Sequence, residues 1–173
     1  MNTLAATELV PLAAQFDEIA TRLSGAYADS LTGLALPAAE LHALLADLLD
    51  RAAQASTEAP AATALVHALT EAAVQGAAAA QHLGRLAAAH GRLGHLATLR
   101  PAPARTTAIR QALSDVEAAQ DALNRELTVT AAQLRGHAAR RIPAGPQTPV
   151  SQPSTAARAR PAVVLSAAHA RRP

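Results

Sequence analysis

The sequence predicts an all-α fold: an antiparallel bundle of about four helices, built on one long helical hairpin and followed by a disordered tail rich in Pro and Arg. Three observations predict it. The first is a pair of long 4-3 patterns. Leu65, Leu69, Ala72, Gly76, Ala79, Leu83, Leu86, His90, Leu93 and Ala97 recur at alternating spacings of four and three. Ile109, Leu113, Val116, Gln120, Leu123, Leu127, Thr130 and Leu134 repeat the pattern after the short "RPAPA" segment. Such a seam keeps one apolar stripe on one helix face, as in a coiled coil, and the short link folds the second arm back on the first. The second observation is composition. Half of the 173 residues are apolar, largely through Ala, and Phe16 and Tyr27 are the only aromatic side chains besides histidine. Ala, Leu, Gln, Glu and Arg favour helix, and only a faint "AVVL" near the end resembles a strand. The third is the change after Ile142, where Pro143, Pro146, Pro149, Pro153 and Pro161 arrive among Ser, Thr, Gln, Ala and Arg. Residues 1–142 therefore read as the bundle and 143–173 as a disordered basic tail.

Helix 1 is expected over about residues 8–24, with Leu9, Leu12, Phe16, Ile19 and Leu23 as its seam. A start near Thr3 would place Pro11 inside the helix, where it has no N–H to donate. The stretch 25–34 carries both an apolar face (Tyr27, Leu31, Leu34) and two glycines (Gly25, Gly33). Helix 2 is expected to open at Pro37, because proline suits a first turn, and to run to about Ser56. Its wide leucine face (Leu41, Leu44, Leu45, Leu48, Leu49) calls for more than one neighbour. Helix 3 (about 61–100) is smooth in its first half. Ala73, Ala80, Ala87 and Gly94 form a column of small residues that allows close approach. Gly76, Gly84, Gly91 and Gly94 each cost about 1 kcal/mol relative to alanine, so close packing, a kink or a break is expected among them. Helix 4 covers about 104–141. Folding the hairpin about residues 102–103 pairs positions whose numbers sum to about 206. That register sets small residues of helix 3 against large ones of helix 4, and sets Arg85 and Arg92 near Asp121 and Asp115.

Composition also excludes chemistries. Cysteine is absent, which removes thiolate metal sites and a Cys nucleophile. Lysine is absent too, which removes a Walker-type phosphate loop and Schiff-base chemistry. Basicity carried by arginine alone, in an alanine-rich chain, is what a GC-rich bacterial genome encodes. No nucleophile elbow, dinucleotide fingerprint or His-Glu-x-x-His motif occurs. His82, His90 and His95 are spaced by 8 and 5, not by the three or four that one helix face requires of metal ligands, and no Glu-x-x-His occurs. The chain is thus expected to be non-enzymatic, with no cofactor and no catalytic or metal-binding residue.

Net charge is +2, but unevenly spread. Residues 1–71 hold nine acids and two arginines, a balance of −7; residues 72–173 hold four acids and thirteen arginines, a balance of +9. The amino-terminal residues lack a secretion pattern, and the alanine-rich run at 72–80 is too short to span a bilayer. A cytoplasmic protein without a membrane span is expected. The leading functional reading is an interaction or scaffold protein that meets a protein partner or another copy of itself. The alternative is a nucleic-acid-associated protein that contacts phosphates without sequence preference, through Arg135, Arg140, Arg141, Arg158, Arg160, Arg171 and Arg172. Arginines are sparse and no aromatics interleave with them, which weakens that alternative for single strands.

Overall fold

A computed structural model describes residues 3–24, 30–58 and 63–141, and these form four helices. They are α1 (Thr3–Ser24), α2 (Leu31–Glu58), α3 (Thr63–Thr98) and α4 (Pro103–Arg141). No strand occurs among the described residues. The tail expected at 143–173 lies outside them.

The α3–α4 contact is the largest in the fold. α1 packs mainly on α4 and α2 mainly on α3, whereas α1 and α2 meet far less. Neighbours are antiparallel. Along the hairpin, Arg92 pairs with Asp115 at 2.7 Å and Glu71 with His137 at 3.2 Å, so residue numbers rise on one arm as they fall on the other. These pairs sum to 207 and 208, within two of the register read from the sequence. Of the two ion pairs expected there, Arg92–Asp115 forms; among the described residues none joins Arg85 to Asp121. On the other flank, Gln120 of α4 donates to the Leu23 carbonyl at 3.3 Å, and Arg135 pairs with Asp17, so α1 also runs against α4. The sequence had placed Gln120 against α3; its amide turns instead to α1.

Helix boundaries differ from the sequence reading in two places. α1 starts at Thr3 and carries Pro11 internally. The ring cannot donate a backbone hydrogen bond, yet Leu9 and Leu12 on either side are essentially fully buried and hold the helix to the core. α2 starts at Leu31, so Pro37 lies inside the helix and is buried. The start is set by Ser30: its hydroxyl accepts from the Gly33 N–H at 3.1 Å and its carbonyl from the Leu34 N–H at 3.2 Å, the pattern of a helix N-cap. Leu34, 3% exposed, rewards the extra turn with burial. α4 begins with Pro103 in the position that proline favours. At the turn Arg105 donates to the Ala97 carbonyl at 3.3 Å, serving one of the acceptors that the end of α3 leaves open.

The core follows the seams. Leu9, Leu12, Phe16 and Leu23 of α1 join Leu41 and Leu48 of α2, Leu69 and Leu86 of α3, and Leu123, Leu127 and Leu134 of α4. Burying one such side chain stabilises by about 1.5–3 kcal/mol. Thr130 is the one polar residue fully buried among them, and its hydroxyl donates to the Glu126 carbonyl at 2.7 Å. α3 runs unbroken past its glycines. Only Gly76 is under close approach: a methyl group there would meet Leu45 and lie 3.4 Å from the Phe16 ring, whereas Gly84, Gly91 and Gly94 have nothing within 4 Å.

The helices differ in length. At 1.5 Å per residue, 36 and 39 residues give α3 and α4 about 54 and 58 Å, against about 33 Å for the 22 residues of α1. The hairpin therefore outruns the bundle. Beyond Ala89 no residue of α3 is buried, and before Ala119 only Ala112 of α4 is.

Candidate functional site

Two places on the hairpin, one at each end, gather features that the core does not explain. The first is the open end, where α3 starts and α4 finishes. His67 and Glu71 stand four apart on α3, hence on one face. The register brings His137 of α4 between them. Glu71 Oε2 lies 3.2 Å from His137 Nε2 and 3.7 Å from His67 Nδ1. The two rings are tilted by 51° with centroids 6.3 Å apart. One donor atom from each of the three residues lies within 4.8 Å of the others, and this set of two nitrogens and one oxygen could hold a metal ion. The side chains are 73% (His67), 36% (Glu71) and 19% (His137) exposed, so the group opens to solvent on the His67 side.

Neither the spacing of His82, His90 and His95 nor a search for Glu-x-x-His reveals this trio. The signal was there: His67-x-x-x-Glu71 has helix-face spacing, and a register sum of about 206 sets His137 opposite residue 69. One turn nearer the tip on each helix, the side-chain oxygens of Gln75 and Gln133 are buried without a hydrogen-bond partner, so polar character continues along both arms.

The second place is the hairpin tip. An open groove of about 630 Å³ lies between α3 and α4, lined by small residues (Ala88, Gly91, Ala108, Ala112) and by Leu96, with Arg92 and Asp115 among its polar lining residues. Leu99 and Leu113 are 43% and 48% exposed, and Leu93, Leu96 and Ile109 are half-buried. Leu113 sits on the seam read from the sequence, but Ala112 takes the buried position. The reason is that α1 and α2 do not reach this level: among the described residues nothing covers the outer flank of the stripe.

The wide leucine face of α2 and the small-residue column of α3 are largely used within the fold. On α2, Leu41, Leu44 and Leu48 are buried and only Leu49 of the leucine face is exposed. On α3, Ala73 is buried and Ala80 and Ala87 pack on the core; Gly94, in the tip, is exposed. α2 also has the length and mean hydropathy to cross a membrane over Leu31–Thr57, with 28% of that window buried. A narrower cleft between α1 and α2 is bridged by Arg22, which bonds Glu40 and, at 2.5 Å, Glu18. Glu40 first, then Glu18, holds the Arg22 guanidinium still more firmly protonated than usual.

Of the arginines considered for phosphate contact, Arg135 is paired with Asp17 and Arg140 is exposed near the end of α4. Arg158, Arg160, Arg171 and Arg172 lie outside the described residues, as does the side chain of Arg141. Comparison with protein-family models, with curated proteins and with solved structures finds no match to this chain.

Proposed function

We propose that the protein is a non-enzymatic interaction module that associates with a second copy of itself through the tip of the α3–α4 hairpin. The observation behind this reading is the apolar stripe at the tip that no other described helix covers, where Leu99 and Leu113 stand exposed. A twofold contact needs one patch that complements itself, and an apolar stripe does so because apolar contact is not directional. Two tips laid against each other would rebuild four-helix packing where one chain offers only two. At the tip Arg92 is already paired with Asp115 of its own chain, so that arginine brings no unpaired charge to the contact. In this reading α2 is a core helix rather than a membrane span, since its Leu34, Leu41, Leu44 and Leu48 stripe is buried in the core.

Light scattering after size exclusion tests the proposal. The expected result is a dimer that persists in high salt, and a monomer of unchanged helicity for Leu113→Glu combined with Leu96→Glu. A wild-type chain that stays monomeric at high micromolar concentration overturns it. Duplex DNA added at low salt tests the phosphate-contact alternative in the same run: a shift that vanishes as salt rises would favour the arginines over the tip.

A further inference from the structure

We propose that His67, Glu71 and His137 form a site for a late first-row divalent metal ion, zinc being the natural probe, that clips the end of α4 to the start of α3.

The geometry carries it. Around a tetrahedral ion with bonds of roughly 2.0–2.1 Å, neighbouring donor atoms lie about 3.3 Å apart. Glu71 Oε2 and His137 Nε2 already lie 3.2 Å apart, and Glu71 Oε2 and His67 Nδ1 lie 3.7 Å apart. His67, the most exposed of the three, is the one free to close the remaining gap. Both imidazoles converge on the same carboxylate oxygen, but only His137 is within hydrogen-bonding distance of it. The His67 ring is neither stacked on its neighbour nor bonded to the carboxylate, so its approach gains little without an ion. Two imidazoles and one carboxylate suit zinc and its neighbours; magnesium and calcium prefer all-oxygen sites. Three protein ligands, open on the His67 side, leave a position for water.

The donors are placed by the fold and not by one flexible loop. Two stand a helical turn apart on α3 and the third comes from α4, 66 residues beyond Glu71. Their position, at the end of the hairpin opposite its turn, is where two long antiparallel helices are least constrained by the connection. An ion there would close the hairpin at both ends.

Titration of tag-free full-length protein with Zn²⁺, followed by calorimetry and by thermal melting, tests this. One equivalent is expected to bind and to raise the Tm, with Mg²⁺ having no such effect. Loss of a residue that merely orients a metal ligand costs about 10–100-fold in affinity, so Glu71→Gln and His137→Ala should each lose at least tenfold. His42→Ala, on the exposed face of α2, should bind as wild type. Co²⁺ should give the visible absorption of a four- or five-coordinate nitrogen–oxygen site, and that absorption should disappear in His67→Ala. The proposal is overturned if wild type takes up no stoichiometric zinc, or if Glu71→Gln and His137→Ala bind it as tightly as wild type. Circular dichroism of each variant separates loss of the site from loss of the fold, and tip association is read independently by light scattering of the zinc-free chain.

Discussion

Gly84 and Gly76 stand two turns apart on α3 and should answer differently to a methyl group. At Gly84 a Cβ meets nothing within 4 Å, so Gly84→Ala is expected to gain most of the helix-propensity difference, about 0.5–1 kcal/mol. At Gly76 the same methyl must push Leu45 aside and press on the Phe16 ring at 3.4 Å, so Gly76→Ala should gain less or lose stability. Urea melts of the two variants check the order. Residue scale is also where the sequence was easiest to read inside the bundle. Leu69, Leu86, Leu123, Leu127 and Leu134 were all on the expected seams, and all are buried. What it did not show is which small residue is small for a reason. Four glycines in one helix look alike until the neighbour of each is known, and only Gly76 has one.

At the scale of helices, the legible features were those with a local cause. Pro103 marks the start of α4, and folding the hairpin about residues 102–103 sets the register of its arms to within two residues. The start of α2 was misread because Pro37 offered a familiar first-turn signal, while the working cap, Ser30, is followed by Gly33 and not by the Glu or Gln of a capping box. Less legible still were contacts made across elements. Gln120 falls on the expected seam, yet its amide serves the last turn of α1. Gln120→Ala should therefore weaken the α1–α4 contact, at a cost of about 1 kcal/mol seen in chemical denaturation.

Across the whole molecule, the unequal charge of the two halves is partly consumed in the fold. Arg135, from the basic half, pairs with Asp17, from the acidic half. A solvent-facing pair of this kind contributes about 0–1 kcal/mol, so it orients more than it stabilises. The two candidate sites were hidden from one-dimensional reading for opposite reasons. The tip looks like ordinary seam, and only the shorter length of α1 and α2 reveals that neither of these helices covers it. The His67–Glu71–His137 group joins two helices, so it appears only when periodicity along α3 is combined with the hairpin register.

That α1 leans on α4, with little contact to its sequence neighbour α2, implies an order of assembly. The Arg92–Asp115 contact spans 23 residues, whereas Gln120 and Leu23 are 97 apart. Closing a short loop is entropically cheaper than closing a long one, and local contacts set folding speed. The hairpin should therefore form early and α1 should dock late. In a chevron experiment Leu86→Ala, in the hairpin seam, should mainly slow folding. Phe16→Leu, in α1, should mainly speed unfolding, so the amino-terminal helix would be the first part of the native protein to let go.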